Sequence, residues 1–217
     1  MVSTDFPQYS SGERLADFWI HILGITGSAI ALTVLLVMTV GTLPTVSTVS
    51  LSVYSIGVLA VFCCSAAYNL ASDHQLKTTL RQLDQAAIYV KIAAVYTPFA
   101  AVKIGGWSGG GLLGVVWAIA IFGLVLKLVC PERLVKTSYV LYLAQGWVAL
   151  LFIHPLFASV SSLTLVMLCI GGILYTVGVV FHLWSTLKYH NAIWHGFVVC
   201  GSGCHYVAIL DAVALAL

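Results

Sequence analysis

Ser65, Asn69, Asp84, Asn191 and His195 are polar residues set in or beside long apolar stretches. Polar groups left unpaired in hydrocarbon are costly, so ionisable residues within membrane-spanning segments mark a functional site by default. Ser65 and Asn69 are four apart, as are Asn191 and His195, and residues at that spacing share one helical face. At about 100° per residue, Asn191, His195, Ser202 and His205 fall within one narrow stripe. Glu13, Asp17 and His21 repeat at the same four-residue interval. An i, i+4 ligand pair joined by a ligand from a second helix is a common way to hold zinc, and His195 and Asp84 suit that task chemically. Asn69 and Asn191 do not, because a neutral amide oxygen is a poor zinc donor beside imidazole or thiolate. From spacing alone the set reads as a polar pocket, with a metal as the lesser reading.

The elements that must position these residues follow from composition. Charged residues make up 7% of the 217 positions and the mean hydropathy is +1.05, against about 25% charge in soluble chains. This is the composition of an integral membrane protein. A transmembrane helix needs roughly 20 mostly apolar residues. Segments at about 17–40, 48–71, 84–104, 110–130, 137–157, 161–184 and 192–215 meet that test, separated by Gly- and Pro-containing turns. The expectation is an all-α bundle of seven transmembrane helices forming one domain over residues 1–217, with a short polar tail at 1–14. The first run is too long for a signal-peptide core and is expected to be a permanent span. A transmembrane β-barrel is excluded, since its spans are about half as long and alternate in polarity.

Arg14, Lys77, Arg81, Lys127, Arg133, Lys136 and Lys188 fall on the side of the N-terminal tail, and Lys103 on the other. The positive-inside rule then predicts a cytoplasmic N-terminus and an exterior C-terminus, in the plasma membrane. That orientation places the polar residues at one depth, near the inner leaflet. Trp19, Trp107, Trp184 and Trp194 fall near predicted span ends, as interfacial aromatics do. The six cysteines form no CxxC pair and lie mostly in apolar spans, which argues against a disulfide framework. A net charge of +2 without a long basic run gives no reason to expect nucleic acid; membrane lipids are the expected partners.

Four segments carry a more specific signal. They are Glu13-Arg14-Leu15-Ala16-Asp17 with His21; Ser65-Ala66-Ala67-Tyr68-Asn69; Leu83-Asp84-Gln85-Ala86-Ala87-Ile88-Tyr89 leading to Tyr96-Thr97-Pro98-Phe99; and Tyr189-His190-Asn191-Ala192-Ile193-Trp194-His195 leading to Gly201-Ser202-Gly203-Cys204-His205. In these segments and their order the chain resembles the hemolysin III family, within the progestin and adiponectin receptor superfamily. The resemblance implies a seven-helix bundle with zinc near the cytoplasmic face. Its ligands are a His one turn after the Ser of the second span and two His four apart on the seventh. An Asp opening the third span acts through a metal-bound water. On this chain the Ser is Ser65, the Asp is Asp84 and one His is His195, while Asn69 and Asn191 stand at the other two ligand positions. Zinc is the cofactor the resemblance suggests, and the loss of two imidazoles weighs against it.

Lys91 is a further departure, seven positions after Asp84 and on its face. A helical side chain leans toward the N-terminus, so Lys91 is expected either to reach back as a counter-ion to Asp84, supplying the charge zinc would bring, or simply to reach the headgroups. Glu13, Asp17, His21, Ser202 and His205 are expected around this centre. The leading expectation is a lipid-sensing or membrane-homeostasis protein. The alternative is a zinc-dependent hydrolase of lipid amides or esters using Asp84 and Ser65. A cytolytic or pore-forming role finds no continuous charged channel lining in the sequence.

Overall fold

The computed structural model describes residues 9–129 and 135–214, which form helices and short turns without a strand among them. The helices are α1 (Ser11–Thr39), α2 (Thr45–Leu70), α3 (His74–Pro98), α4 (Gly106–Val129), α5 (Val135–Gly146), α6 (Ile153–Ser159), α7 (Ser162–Leu183) and α8 (His190–Ile209). Seven helical stretches are long and apolar enough to cross a membrane, with α5 and α6 contributing to a single one, Ser138–Ser159. The chain is a multi-pass membrane protein.

Two helix starts lie six and ten residues earlier than hydropathy predicts, at Ser11 and His74. A capping box begins α1: the Glu13 N–H donates to Ser10 Oγ at 3.4 Å, and the Ser10 N–H donates to the Glu13 carboxylate at 2.9 Å. Residues 11–14, expected in the tail, are therefore already helical. Asp73 caps α3 by accepting from the Leu76 N–H at 2.8 Å. Asp84 consequently lies ten residues inside α3 rather than at its start. Polar helical turns between 74 and 83 are invisible to a hydropathy window, which measures lipid solubility and not helix.

The fifth span is not one regular helix. A 3-10 segment, Val148–Phe152, separates α5 from α6. Broken backbone inside a membrane must find partners within the protein. Tyr96 provides them, donating to the Gly146 carbonyl at 2.5 Å and accepting from the Ala149 N–H at 3.1 Å. Pro155 falls in the first turn of α6, where its missing N–H costs nothing. On α3, Pro98 is followed by a π turn, Phe99–Ile104, that ends at Gly105 with φ of 61°.

Small residues let the helices approach, as membrane packing requires. A Cβ on Gly57 of α2 would stand 2.4 Å from the Ala94 Cβ of α3, and one on Gly123 of α4 would meet the Tyr89 ring at 2.5 Å. Gly171 of α7 gives room to His205, and Gly201 of α8 to Tyr175. Apolar side chains such as Ile30, Val37 and Leu151 face outward, toward lipid. Trp107 is 98% exposed, as expected at an interface. Trp194, in the second turn of its span His190–Val213, packs against Gly178 and lines an internal cavity.

The close approach of α2 and α3 sets a measurable penalty. Gly57→Ala is expected to destabilise the bundle by about 1–3 kcal/mol, and Ala94→Gly in the same chain to recover most of that loss. Thermal unfolding in detergent of the two single variants and the pair checks this; additive losses would show that the helices do not meet there.

Candidate functional site

Three helices bring the polar residues together. Asp17 and His21 come from α1, Ser65 and Asn69 from α2, and Asn191 and His195 from α8. Asp17, His21, Ser65 and His195 are all buried. His195 Nδ1 donates to Asp17 Oδ1 at 2.6 Å, and His21 Nδ1 to the Asp17 backbone carbonyl at 2.8 Å. The remaining nitrogens converge: His21 Nε2 and His195 Nε2 each lie 3.3 Å from Ser65 Oγ. The two rings meet edge to face with centroids 4.4 Å apart.

Counting protons on this cluster is informative. A backbone carbonyl only accepts, so His21 carries its proton on Nδ1, and a carboxylate does the same for His195. With both rings neutral, two Nε2 lone pairs face one hydroxyl that has a single proton to give. One lone pair is left over, and a cation or a further proton between the rings would satisfy it.

Around the cluster lie cavities. A small one of about 40 Å³ is lined by His21, Ser65, Asp84 and His195, among others. Its walls Asp84, Ile88, Trp194 and Val198 are shared with a chamber of about 470 Å³ that runs between α3, α5, α7 and α8 past the middle of the bundle. A third, of about 320 Å³, reaches Asp17, Asn69 and Asn191 from the end of the bundle, beside Arg14 and Lys77.

Over residues 12–206 the chain matches the haemolysin-III related family. It belongs to that family. The Hemolysin-3 homolog of Bacillus subtilis (strain 168) is 33% identical over 198 residues, covering 91% of this chain and 93% of the relative. Hemolysin-3 of Bacillus cereus is 31% identical over 198 residues, covering 91% and 90%. The Monocyte to macrophage differentiation factor of Homo sapiens is 27% identical over 163 residues, covering 72% and 67%.

At the positions where the family resemblance implies zinc ligands, the residues of this haemolysin-III related chain do not fit the ion. Asn191 Nδ2 donates to Asn69 Oδ1 at 3.1 Å, and Asn69 Nδ2 donates to the Ser65 carbonyl at 2.9 Å. Both amides are thus engaged with each other and with backbone. A neighbouring set is a candidate for a cation. Asp17, His21 and His195 each offer one donor atom within 4.8 Å of the others, and a carboxylate with two imidazoles is a zinc-type set. Asp17 and His21, expected around the centre, stand in hydrogen-bond contact with His195 and Ser65. Their regular spacing on α1 was the available signal, but nothing in the sequence fixed which helix faced that stripe.

Other expectations are redirected. Lys91 is not the counter-ion of Asp84; its ammonium donates to the Tyr175 hydroxyl of α7. Proximity across the bundle decides this, and Tyr175 had no signal in sequence beyond a hydroxyl in an apolar span. Glu13 serves as a cap and clasp, accepting from the N–H of Tyr189 at 3.0 Å. Tyr189 has φ of 64°, unusual for a residue with a side chain, and directly precedes α8. Ser202 bonds Tyr175 at 2.7 Å, and His205 packs on the Tyr175 ring. His182 bonds Tyr139 at 3.1 Å.

Because Asp17 and His195 share a buried bond, their removal should not add. A double-mutant cycle of Asp17→Ala and His195→Ala on unfolding free energy is expected to give a coupling of about 0.5–3 kcal/mol, and a coupling of zero would mean that the two side chains act separately.

Proposed function

We propose that this haemolysin-III related protein binds a lipid in its intramembrane chamber and reads or acts on it beside the Asp17–His21–Ser65–His195 cluster. The observation that carries this reading is the shared wall between that cluster and the 470 Å³ chamber. A volume of that size, mostly apolar with a few convergent polar groups, is what a small-molecule site requires. The cation bias of the loops supports an N-terminus in the cytoplasm and a place in the plasma membrane, with the cluster at the inner leaflet. Lipid sensing in membrane homeostasis is the role that asks least of these residues. It requires a pocket and a polar reader, and no turnover.

A second reading, hydrolysis of a lipid ester or amide, is favoured by one specific feature. Asp17, His195 and Ser65 stand in a line in which a carboxylate orients an imidazole whose other nitrogen faces a hydroxyl. That order of groups makes a nucleophile of a hydroxyl or of a water in its place. Asp84, on the wall between cluster and chamber, is positioned to exchange a proton with a group entering from the chamber. A divalent cation held by Asp17, His21 and His195 would take the place of that base and would supply Lewis-acid polarisation of the carbonyl instead.

Two measurements test these readings. Protein purified in mild detergent is expected to carry a tightly held single-chain or double-chain lipid detectable by native mass spectrometry. Chains that neither retain nor rebind any lipid would refute the chamber reading. Zinc added to the purified protein is expected to bind in a manner dependent on His21 and His195, weakened at least about tenfold by His21→Ala and unaffected by Asn69→Ala. Binding indifferent to His21 would place the cation elsewhere.

A further inference from the structure

Two of the cavities meet at a thin partition. The 320 Å³ cavity beside Arg14 and Lys77 and the 470 Å³ chamber share four lining residues, Tyr9, Tyr68, Asn69 and Asn191. The smaller space is a vestibule open to water: Arg14 and Ser72 on its wall are exposed, and Glu13 and Asp17 line it as well. The chamber faces the other medium. Leu150 and Phe157 of its wall are 56% and 60% exposed, on the apolar outside of the bundle. The partition therefore stands between an aqueous space and an apolar one.

Its composition does not suit a barrier to water. Hydrophobic constrictions exclude water by dewetting, whereas each of the four residues carries a hydrogen-bonding group, and no described apolar side chain lines both cavities. Across the partition runs one bond from helix to helix, Asn191 Nδ2 donating to Asn69 Oδ1 at 3.1 Å. Asn69 is held from behind by the Ser65 carbonyl at 2.9 Å, and Tyr9 lies against His190 with ring centroids 5.8 Å apart. A neutral bond between two groups that water can also satisfy shifts an equilibrium only roughly two- to tenfold. Released from each other, both amides face the vestibule, where water replaces the lost partner. Asn69 and Asn191 stand where the family resemblance implies metal ligands, so a partition held by one neutral bond is particular to a chain with amides there.

We infer that Asn69 and Asn191 form a gate between the vestibule and the chamber, opened by the parting of their amides, through which water and small water-soluble molecules enter. Each amide offers both a donor and an acceptor to what passes, so a hydrogen-bonding solute is accommodated and a hydrocarbon chain is not. This goes beyond the lipid reading: it gives the chamber an entrance from water, and it does not require a lipid to be bound.

The test follows the reaction of chamber thiols with sulfonatoethyl methanethiosulfonate on the full chain in phosphatidylcholine nanodiscs. The fixed charge of the reagent keeps it out of lipid, so it reaches the chamber only from water. One reporter is Ile88→Cys, on the chamber wall away from the partition, and the other is the native Cys169 on the same wall, both read by peptide mass spectrometry. Both thiols are expected to be modified while the two asparagines are in place. Asn191→Ala, which removes one side of the bridge, is expected to speed modification roughly two- to tenfold. Asn69→Leu with Asn191→Leu, which makes the partition apolar, is expected to slow it at least tenfold. The Asn191→Ala arm and native Cys169 stand even if the leucine pair fails to assemble. Rates indifferent to Asn191→Ala would place the entrance elsewhere, and thiols that stay unmodified until the chain is denatured would show a sealed partition. Either result overturns the gate and leaves lipid retention, measured separately by native mass spectrometry, untouched.

Discussion

A carboxylate taken out of water must be met by donors, and Asp17 is met by two imidazoles. Much of that end of the bundle follows from that requirement. Asp17 belongs to α1, and its strongest partner, His195, belongs to α8, so the first and last helices are held side by side. With their Nδ1 atoms committed, the two rings turn their other nitrogens to α2 and Ser65. Asp17, through its carboxylate toward His195 and its backbone carbonyl toward His21, thereby fixes the tautomers of two histidines and the meeting point of three helices. The convergence of lone pairs on Ser65 is a consequence of how Asp17 is satisfied.

The two asparagines show how a bundle can keep its shape while its site changes. Where the resemblance implies an ion bridging α2 and α8, this chain has an amide of one helix bonded to an amide of the other. An Asn–Asn bond is neutral and short. It draws the same helices together without a metal and without leaving a donor or acceptor stranded at that junction. The pair also settles which way Asn69 points, because its amide nitrogen must face the Ser65 carbonyl. Asn69 and Asn191 act as one unit: a lone Asn at either place would lack its partner.

Hydropathy made the seven spans legible, because lipid imposes length and apolarity on any helix that crosses it. It failed where helix and lipid contact part company. The first turns of α3 are helical but polar, and the fifth span is apolar but broken, with the break repaired by Tyr96 from a distant helix. The polar residues of the site were also legible, since their cost in hydrocarbon singles them out. Their pairing was not. Lys91 illustrates the reason: spacing along α3 pointed to Asp84, while the nearest acceptor came from α7. Periodicity gives the face of a helix and says nothing of what another helix sets against it.

The contact between α1 and α8 also has a meaning in time. Asp17 and His195 are 178 residues apart. At about 5–20 residues per second, synthesis separates their emergence by roughly 10–35 s. Throughout that interval α1 holds a carboxylate and an imidazole whose partner helix does not yet exist. The membrane inserts the first span before the chemistry that justifies its polar face has been made. A chain that stops short of α8 leaves Asp17 without His195.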